Sequence, residues 1–307
     1  MRIENAALIG LGAIGLTFGN QIQKNLPGSL TVIADAGRIE RYTREGVYCN
    51  GEPCAFRYMT PEEKPERPAD LVLIAVKFGA LEEAVRAISR HVGPDTVILS
   101  LLNGISSEEI VARVYGMDKM LLSVAQGMDA TREGNRLTYQ NMGKIVFGDQ
   151  EPGGVSEKAR AVSEFFTRAG VPHEVSREMR RHLWSKFMMN VGINQVTAVY
   201  RCGYGGVQEG GPYRQEMIDA MREVLRLSEL EGTGLRESDI GYWMDVIQTL
   251  SPEGKTSMQQ DVEAGRPTEV ELFAGTVLRL AEKHGLDVPV NRALYRKIRE
   301  IEASYGK

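Results

Sequence analysis

The 307-residue chain is poor in cysteine, with only Cys49, Cys54 and Cys202 and no Cys-x-x-Cys pair. That excludes a disulfide framework and a zinc ribbon, and it fits a reducing, cytoplasmic setting. Histidine is equally sparse. His91, His173, His182 and His284 never fall at a His-Glu-x-x-His spacing, so no metal site is expected. No apolar run reaches the roughly 20 residues a membrane span needs. The uncharged stretch 5–23 after Arg2, with Ala34-Asp35-Ala36 beyond it, mimics a secretory signal. Gly10, Gly12, Gly15 and Gly19 break that stretch, and the polar segment 20–25 separates it from the supposed cleavage site, so it is read as folded structure. Basic blocks are also missing. A net charge of −4 and a pI near 5.8 exclude nucleic acid as the main partner.

What is present is ordinary globular material, 42% hydrophobic and 25% charged, in a length that suggests two domains. The first half alternates short apolar runs with helical patterns. Strands are expected at 6–9, 30–34, 71–76 and 96–100, then at 120–126 and 144–147, with helices from the glycine turn to about 24 and over 81–90. Unbroken Val/Ile/Leu runs mark strands covered on both faces, and strand–helix alternation implies a mainly parallel, doubly wound α/β sheet of the Rossmann type. From about Arg177 the texture changes to apolar residues at three- and four-residue spacing. Helices are expected at 179–200, 212–231, 238–249, 268–284 and 291–304, with Asn291 as an N-cap and Gly285 ending the fourth. The expected domains are therefore 1–175, an NAD(P)-binding Rossmann domain, and 176–307, an all-α substrate-binding and catalytic domain.

Gly10-Leu11-Gly12-Ala13-Ile14-Gly15 is a Gly-x-Gly-x-x-Gly turn between the first strand and the first helix. The first glycine allows the tight turn, the second the approach of a pyrophosphate, and the third close packing of helix on strand. The free N–H groups at the helix start face the anion. Asp35 closes the second strand, 20 residues after Gly15, where an acidic residue accepts a ribose 2′-hydroxyl and favours NAD(H). Arg38 and Arg41 follow and could meet the 2′-phosphate of NADP(H), so both cofactors stay open. Gly254-Lys255-Thr256 resembles the end of a P-loop, but Thr249 stands where its first glycine belongs.

In the second half, Lys186, Asn190 and Asn194 lie at i, i+4 and i+8 on a helix that is otherwise apolar. They share roughly an 80° arc of one face. Polar groups buried without partners cost about 1–3 kcal/mol each. Such a stripe is either satisfied by the protein and water or holds a ligand rich in carbonyl, hydroxyl and carboxylate oxygens. Lys77 and Asn103-Gly104 follow the third and fourth strands at the sheet edge where α/β proteins bind ligands, although Asn-Gly is also a plain turn signal. Thr268 is a natural helix cap beside Glu269.

Taken together, these blocks resemble the ketopantoate reductase (2-dehydropantoate 2-reductase) family over nearly the full chain. The resemblance rests on the glycine turn, Val76-Lys77, Leu102-Asn103-Gly104, Trp184-Ser185-Lys186 with Asn190 and Asn194, and Ser257-Met258 through Gly265-Arg266 to Thr268-Glu269. It implies a Rossmann domain joined to a helical one and NADPH-dependent reduction of ketopantoate to (R)-pantoate, on the way to pantothenate and coenzyme A. By the same resemblance Lys186 is the general acid. Asn103, Asn190, Asn194 and Ser257 hold the 2-oxo acid. Lys77, Asn103, Ala130 and Glu269 join Gly10–Gly15, Asp35 and Arg38 around the cofactor. Tyr204 stands where the family pattern has a further substrate asparagine. Two alternatives share parts of the pattern: a reductase of another oxo or hydroxy acid, and a non-catalytic dinucleotide sensor, which would have no use for the stripe. A homodimer through an exposed apolar helix face is compatible with the sequence.

Overall fold

The computed structural model describes residues 1–305; Gly306 and Lys307, the end of the expected helical domain, lie outside the described residues. The chain forms two compact units, 1–103 with 107–180, and 104–106 with 181–307. The first is α/β. Its elements are β1 (Ala6–Ile9), α1 (Ala13–Asn25), β2 (Leu30–Ile33), α2 (Ala36–Glu45), β3 (Tyr48–Cys49), β4 (Glu52–Pro53), β5 (Arg57–Met59) and β6 (Ala69–Ile74). They continue with α3 (Leu81–Ala87), β7 (Val92–Ser100), α4 (Ser107–Tyr115), β8 (Met120–Gln126), β9 (Thr131–Glu133), β10 (Arg136–Thr138), β11 (Lys144–Gly148), α5 (Glu157–Arg168) and β12 (His173–Val175).

Eight strands make one sheet in the order β5-β2-β1-β6-β7-β8-β11-β12. Neighbours are parallel except β8 and β11, which run antiparallel. From β1 the chain builds outward first through β2 and later, in the other direction, through β6, β7 and β8. The reversal puts a switch point between β1 and β6, where ligands bind in such sheets. Leu71, Val72, Leu73 and Ile74 of β6 are fully buried, as a strand covered on both faces requires. Apolar clusters line the two faces, one holding Leu16, Phe18 and Phe165 and the other Val85, Ile88 and Val111. β3, β4, β9 and β10 form a second small sheet.

The second unit is helical: α6 (Met179–Tyr200, entered from the first unit), α7 (Arg214–Leu230), α8 (Glu237–Gln248), α9 (Ser257–Glu263), α10 (Thr276–His284) and α11 (Pro289–Ala303). The 22-residue α6 is apolar on nearly every side, with Phe187, Met188, Val191 and Val196 buried. No helix among the described residues is long and apolar enough to cross a membrane.

Two expectations are corrected. Asn291 does not cap α11. The helix starts at Pro289, whose fixed φ suits a first turn, and Val288 is its N-cap. Asn291 is instead fully buried, and the Glu223 carboxylate accepts the Val290 and Asn291 N–H groups at 2.8 and 2.9 Å, capping the helix from a neighbouring element. The segment read as one helix over 268–284 opens with a π-turn, Glu271–Gly275, before α10. A Cβ on Gly275 would lie 2.5 Å from Glu271 Oε2, and that carboxylate also accepts from the Tyr295 hydroxyl. Gly285 ends α10 in the left-handed conformation, φ +65°.

Candidate active site

In the α/β unit the glycine turn joins β1 to α1 as the spacing requires. Gly10 has φ +96°, and a Cβ there would lie 2.5 Å from the carbonyl oxygen of Ala75, which follows β6 alongside. A Cβ on Gly15 would fall 1.9 Å from the Gly10 oxygen. Both are glycine because the protein's own backbone leaves no room. Gly12 differs: its nearest neighbour to a Cβ is Ala75 O at 3.7 Å, ordinary contact. No close neighbour in the protein requires glycine there, and the bare backbone leaves room for a ligand. Gly12 is also the N-cap of α1, and no side chain caps that helix. First-turn N–H groups, open space and a bare backbone are the features a dinucleotide pyrophosphate needs, so these residues fit the cofactor.

Asp35 follows β2 and caps α2. Its Oδ1 accepts the Arg38 N–H at 2.8 Å, and Oδ2 lies 3.2 Å from Arg38 Nε. The pair is exposed, so the acidic residue has a local structural task besides any contact with a ribose. Lys77 is exposed just past β6 and begins a short helical turn, Phe78–Ala80. Asn103 follows β7 and Ala130 follows β8, both half-buried. β1, β6, β7 and β8 are successive parallel neighbours, so Gly10–Gly15, Lys77, Asn103 and Ala130 all follow strands at one edge of the sheet.

In the helical unit the stripe on α6 is real and buried: Lys186, Asn190 and Asn194 are 9%, 7% and 5% exposed. Burial pulls the Lys186 ammonium down to about 8. Asn194 Nδ2 donates to Asn190 Oδ1 at 3.2 Å, while the buried Asn190 Nδ2 has no partner. Ser257 is the first residue of α9 and is exposed. Its neighbour Thr256 caps α9 and shares a 2.7 Å hydrogen bond with Thr197 of α6, which ties the start of α9 to the helix that bears the stripe. Glu269 is half-buried at the head of the π-turn, and the adjacent Thr268 donates its N–H and hydroxyl to Glu302. Trp184 is buried against Phe187.

Sequence reasoning missed the supports of this face. Gln195 Nε2 donates to Asn291 Oδ1 at 2.9 Å, and Asn291 Nδ2 donates to Glu223 at 2.7 Å, which locks α6 to α11 and α7 behind the stripe. Gln195, next to Asn194 in an apolar helix, was the only local hint. Among the described residues no group of three or more metal-ligating side chains comes together.

Comparison with known proteins adds the family. The models described as "Ketopantoate reductase PanE/ApbA" and "Ketopantoate reductase PanE/ApbA C terminal" match residues 6–152 and 178–302. A 2-dehydropantoate 2-reductase of Archaeoglobus fulgidus is 28% identical over 303 residues, 99% of each chain. The crystal structure of a PanE/ApbA family ketopantoate reductase from Ralstonia eutropha superposes with a TM-score of 0.86 at 24% identity, covering 99% of this chain and 100% of that one. A ternary structure of D-mandelate dehydrogenase with NADH and anilino(oxo)acetate shares the fold at 19% identity, with a TM-score of 0.87 and coverage of 99% and 100%. Glycine turn, buried lysine–asparagine stripe and both family models agree: the chain belongs to the ketopantoate reductase family.

Proposed function

We infer that this protein is an NADPH-dependent 2-dehydropantoate 2-reductase that reduces ketopantoate to (R)-pantoate. The observation that carries the reading is the α6 stripe, where a buried lysine with a lowered pKa stands one turn from an amide whose Nδ2 has no partner. A sensor of dinucleotides would have no need of it. Bound NADPH supplies the hydride that reaches the ketone carbon. Negative charge then grows on the ketone oxygen; the Lys186 ammonium stabilises it and donates its proton there. A lysine pulled toward neutrality gives up a proton more readily than an exposed one. Asn190 Nδ2 and Asn194 supply hydrogen bonds to the hydroxyl or carboxylate of the 2-oxo acid, and Asn103 and Ser257 complete its hold. Gly10–Gly15 cradle the pyrophosphate. Lys77, Ala130 and Glu269 serve the rest of the cofactor. Asp35 caps its helix, and its partner Arg38 is the candidate for the 2′-phosphate, which favours NADPH over NADH. The same reading puts the enzyme in the cytoplasm, where free Cys49, Cys54 and Cys202 stay reduced.

The test is turnover with ketopantoate, followed by the loss of reduced-nicotinamide absorbance, with NADPH and NADH run in parallel. Oxidation of NADPH in preference to NADH is the expected result. Turnover with NADH alone reverses the cofactor assignment and leaves Asp35 as the ribose ligand. Turnover of other 2-oxo acids but not ketopantoate would move the substrate to a relative within the same chemistry.

A further inference from the structure

Four polar side chains that the reaction does not use are buried together in the α/β unit. Ser100 ends β7, Ser107 and Glu108 open α4, and Ser123 lies in β8; none is more than 3% exposed. Ser100 Oγ donates to Ser107 Oγ at 2.8 Å, and Ser107 Oγ donates to Glu108 Oε2 at 2.8 Å. Ser123 Oγ donates to the Ser100 carbonyl oxygen at 2.7 Å. The backbone N–H groups of Ser123 and of Glu108 itself also donate to the carboxyl group. The Ser100–Ser107 bond closes a loop across seven positions, and Asn103 sits inside that loop. Buried Leu101 and Leu102 anchor its first half, and Gly104, at φ +91°, turns the chain immediately after Asn103.

Closing a loop does not require a carboxyl group in a core. Burying one without full compensation costs stability, and an apolar pair would close the same loop more cheaply. Burial pushes the Glu108 carboxyl up to about 7, a sign of that cost. What the cluster provides in exchange is direction. Hydrogen bonds constrain both ends of the loop at fixed angles, where apolar contacts would let it slide.

We propose that Glu108, acting through Ser107 and Ser100, is a positioning residue that holds the Asn103 loop in the geometry in which it binds substrate. The proposal rests on the assignment of Asn103 to the substrate. The experiment is a kinetic cycle on the full-length enzyme with Ser107→Ala, Asn103→Ala, the double variant and Glu108→Gln, each with its melting temperature. Ser107→Ala should raise KM for ketopantoate about tenfold, the scale of one buried hydrogen bond, with kcat within about twofold. Glu108→Gln keeps one acceptor oxygen but sets an NH2 against the remaining donors, so its KM should rise in the same sense as that of Ser107→Ala, and an unchanged KM overturns the role given to the carboxyl group. The double variant should be no worse than Asn103→Ala alone, because a loop that has lost its amide has nothing left to position. A lower melting temperature in Ser107→Ala with unchanged KM, or full additivity in the double variant, overturns the proposal and leaves the cluster a structural one. An inert Asn103→Ala is a different failure, visible in that single variant: the substrate assignment falls and the proposal with it. Should Ser107→Ala not fold, Ser100→Ala breaks the same bond and takes its place.

Discussion

At the scale of single residues, the proposed role of Lys186 couples stability and activity in opposite senses. Its pKa in the folded protein, about 8, lies below the usual lysine value near 10.4. Below about pH 8 both folded and unfolded states carry the proton, so the cost of burying the charge is fully present there. That cost is relieved as pH rises from about 8 toward 10.4, where the folded state has already released its proton. Lys186→Met should therefore raise the melting temperature at pH 7, with a smaller gain at pH 10. It should also lower kcat by roughly 10²–10⁴-fold, the usual worth of a positioned acid. In the wild-type enzyme kcat/KM should be level below about pH 8 and fall about tenfold per unit above it, since only the ammonium can donate. A profile rising through that range would assign Lys186 the role of a base. The lysine and its two asparagines were legible in the sequence because four-residue spacing on an apolar helix puts them on one face. Asn291 was not. Its type suggested a cap, and only tertiary structure brings Glu223 close enough to cap the helix in its place and draw the amide inward.

At the scale of elements, the glycine turn separates two reasons for glycine that sequence alone merges. Gly15→Ala would force a Cβ to 1.9 Å from the Gly10 oxygen, so α1 must move off the sheet. A loss of roughly 2–4 kcal/mol in unfolding free energy is expected, measurable by denaturant titration. Gly12→Ala meets nothing nearer than 3.7 Å and should cost about 1 kcal/mol at most, the loss of a glycine N-cap. On the proposed cofactor site its methyl enters the space of the pyrophosphate, and NADPH affinity by fluorescence titration should fall about tenfold or more, on the scale of a small steric mismatch in a close-packed site. Strands β1, β2, β6, β8 and β11, and β7 over 96–100, were readable as mainly apolar runs. α2, α4 and α5 carry more charge and a narrower apolar stripe, and no comparable signal marked them. The π-turn at Glu271–Gly275 carries no signal in the sequence, and its Glu271 meets its partner, Tyr295, only through the tertiary fold.

At the scale of the whole molecule, the α/β unit carries the glycine cradle and the helical unit carries the stripe. The nucleotide binding and proton donation proposed for them can therefore be separated by experiment. A ligand present at a hundred times its dissociation constant stabilises a protein by about 2.7 kcal/mol. NADPH at that excess should raise the melting temperature of wild type and of Lys186→Met alike; a shift lost in the variant would tie the lysine to cofactor binding. The division into an alternating half and a helical half was readable from periodicity. One detail was not: Gly104–Ser106 belong to the helical unit although the α/β unit's chain flanks them on both sides. A Cβ on Gly104 would fall 2.6 Å from Leu272 Cδ1, which shows how closely that short excursion is packed. The helical half is consequently not a contiguous cassette. A recombination event that joined two parents at Arg180/Arg181 would give the offspring a helical half from one and its three inserted residues from the other. Such an offspring would set the Gly104 of one parent against the Leu272 of the other, a close contact that both parents' residues would have to fit.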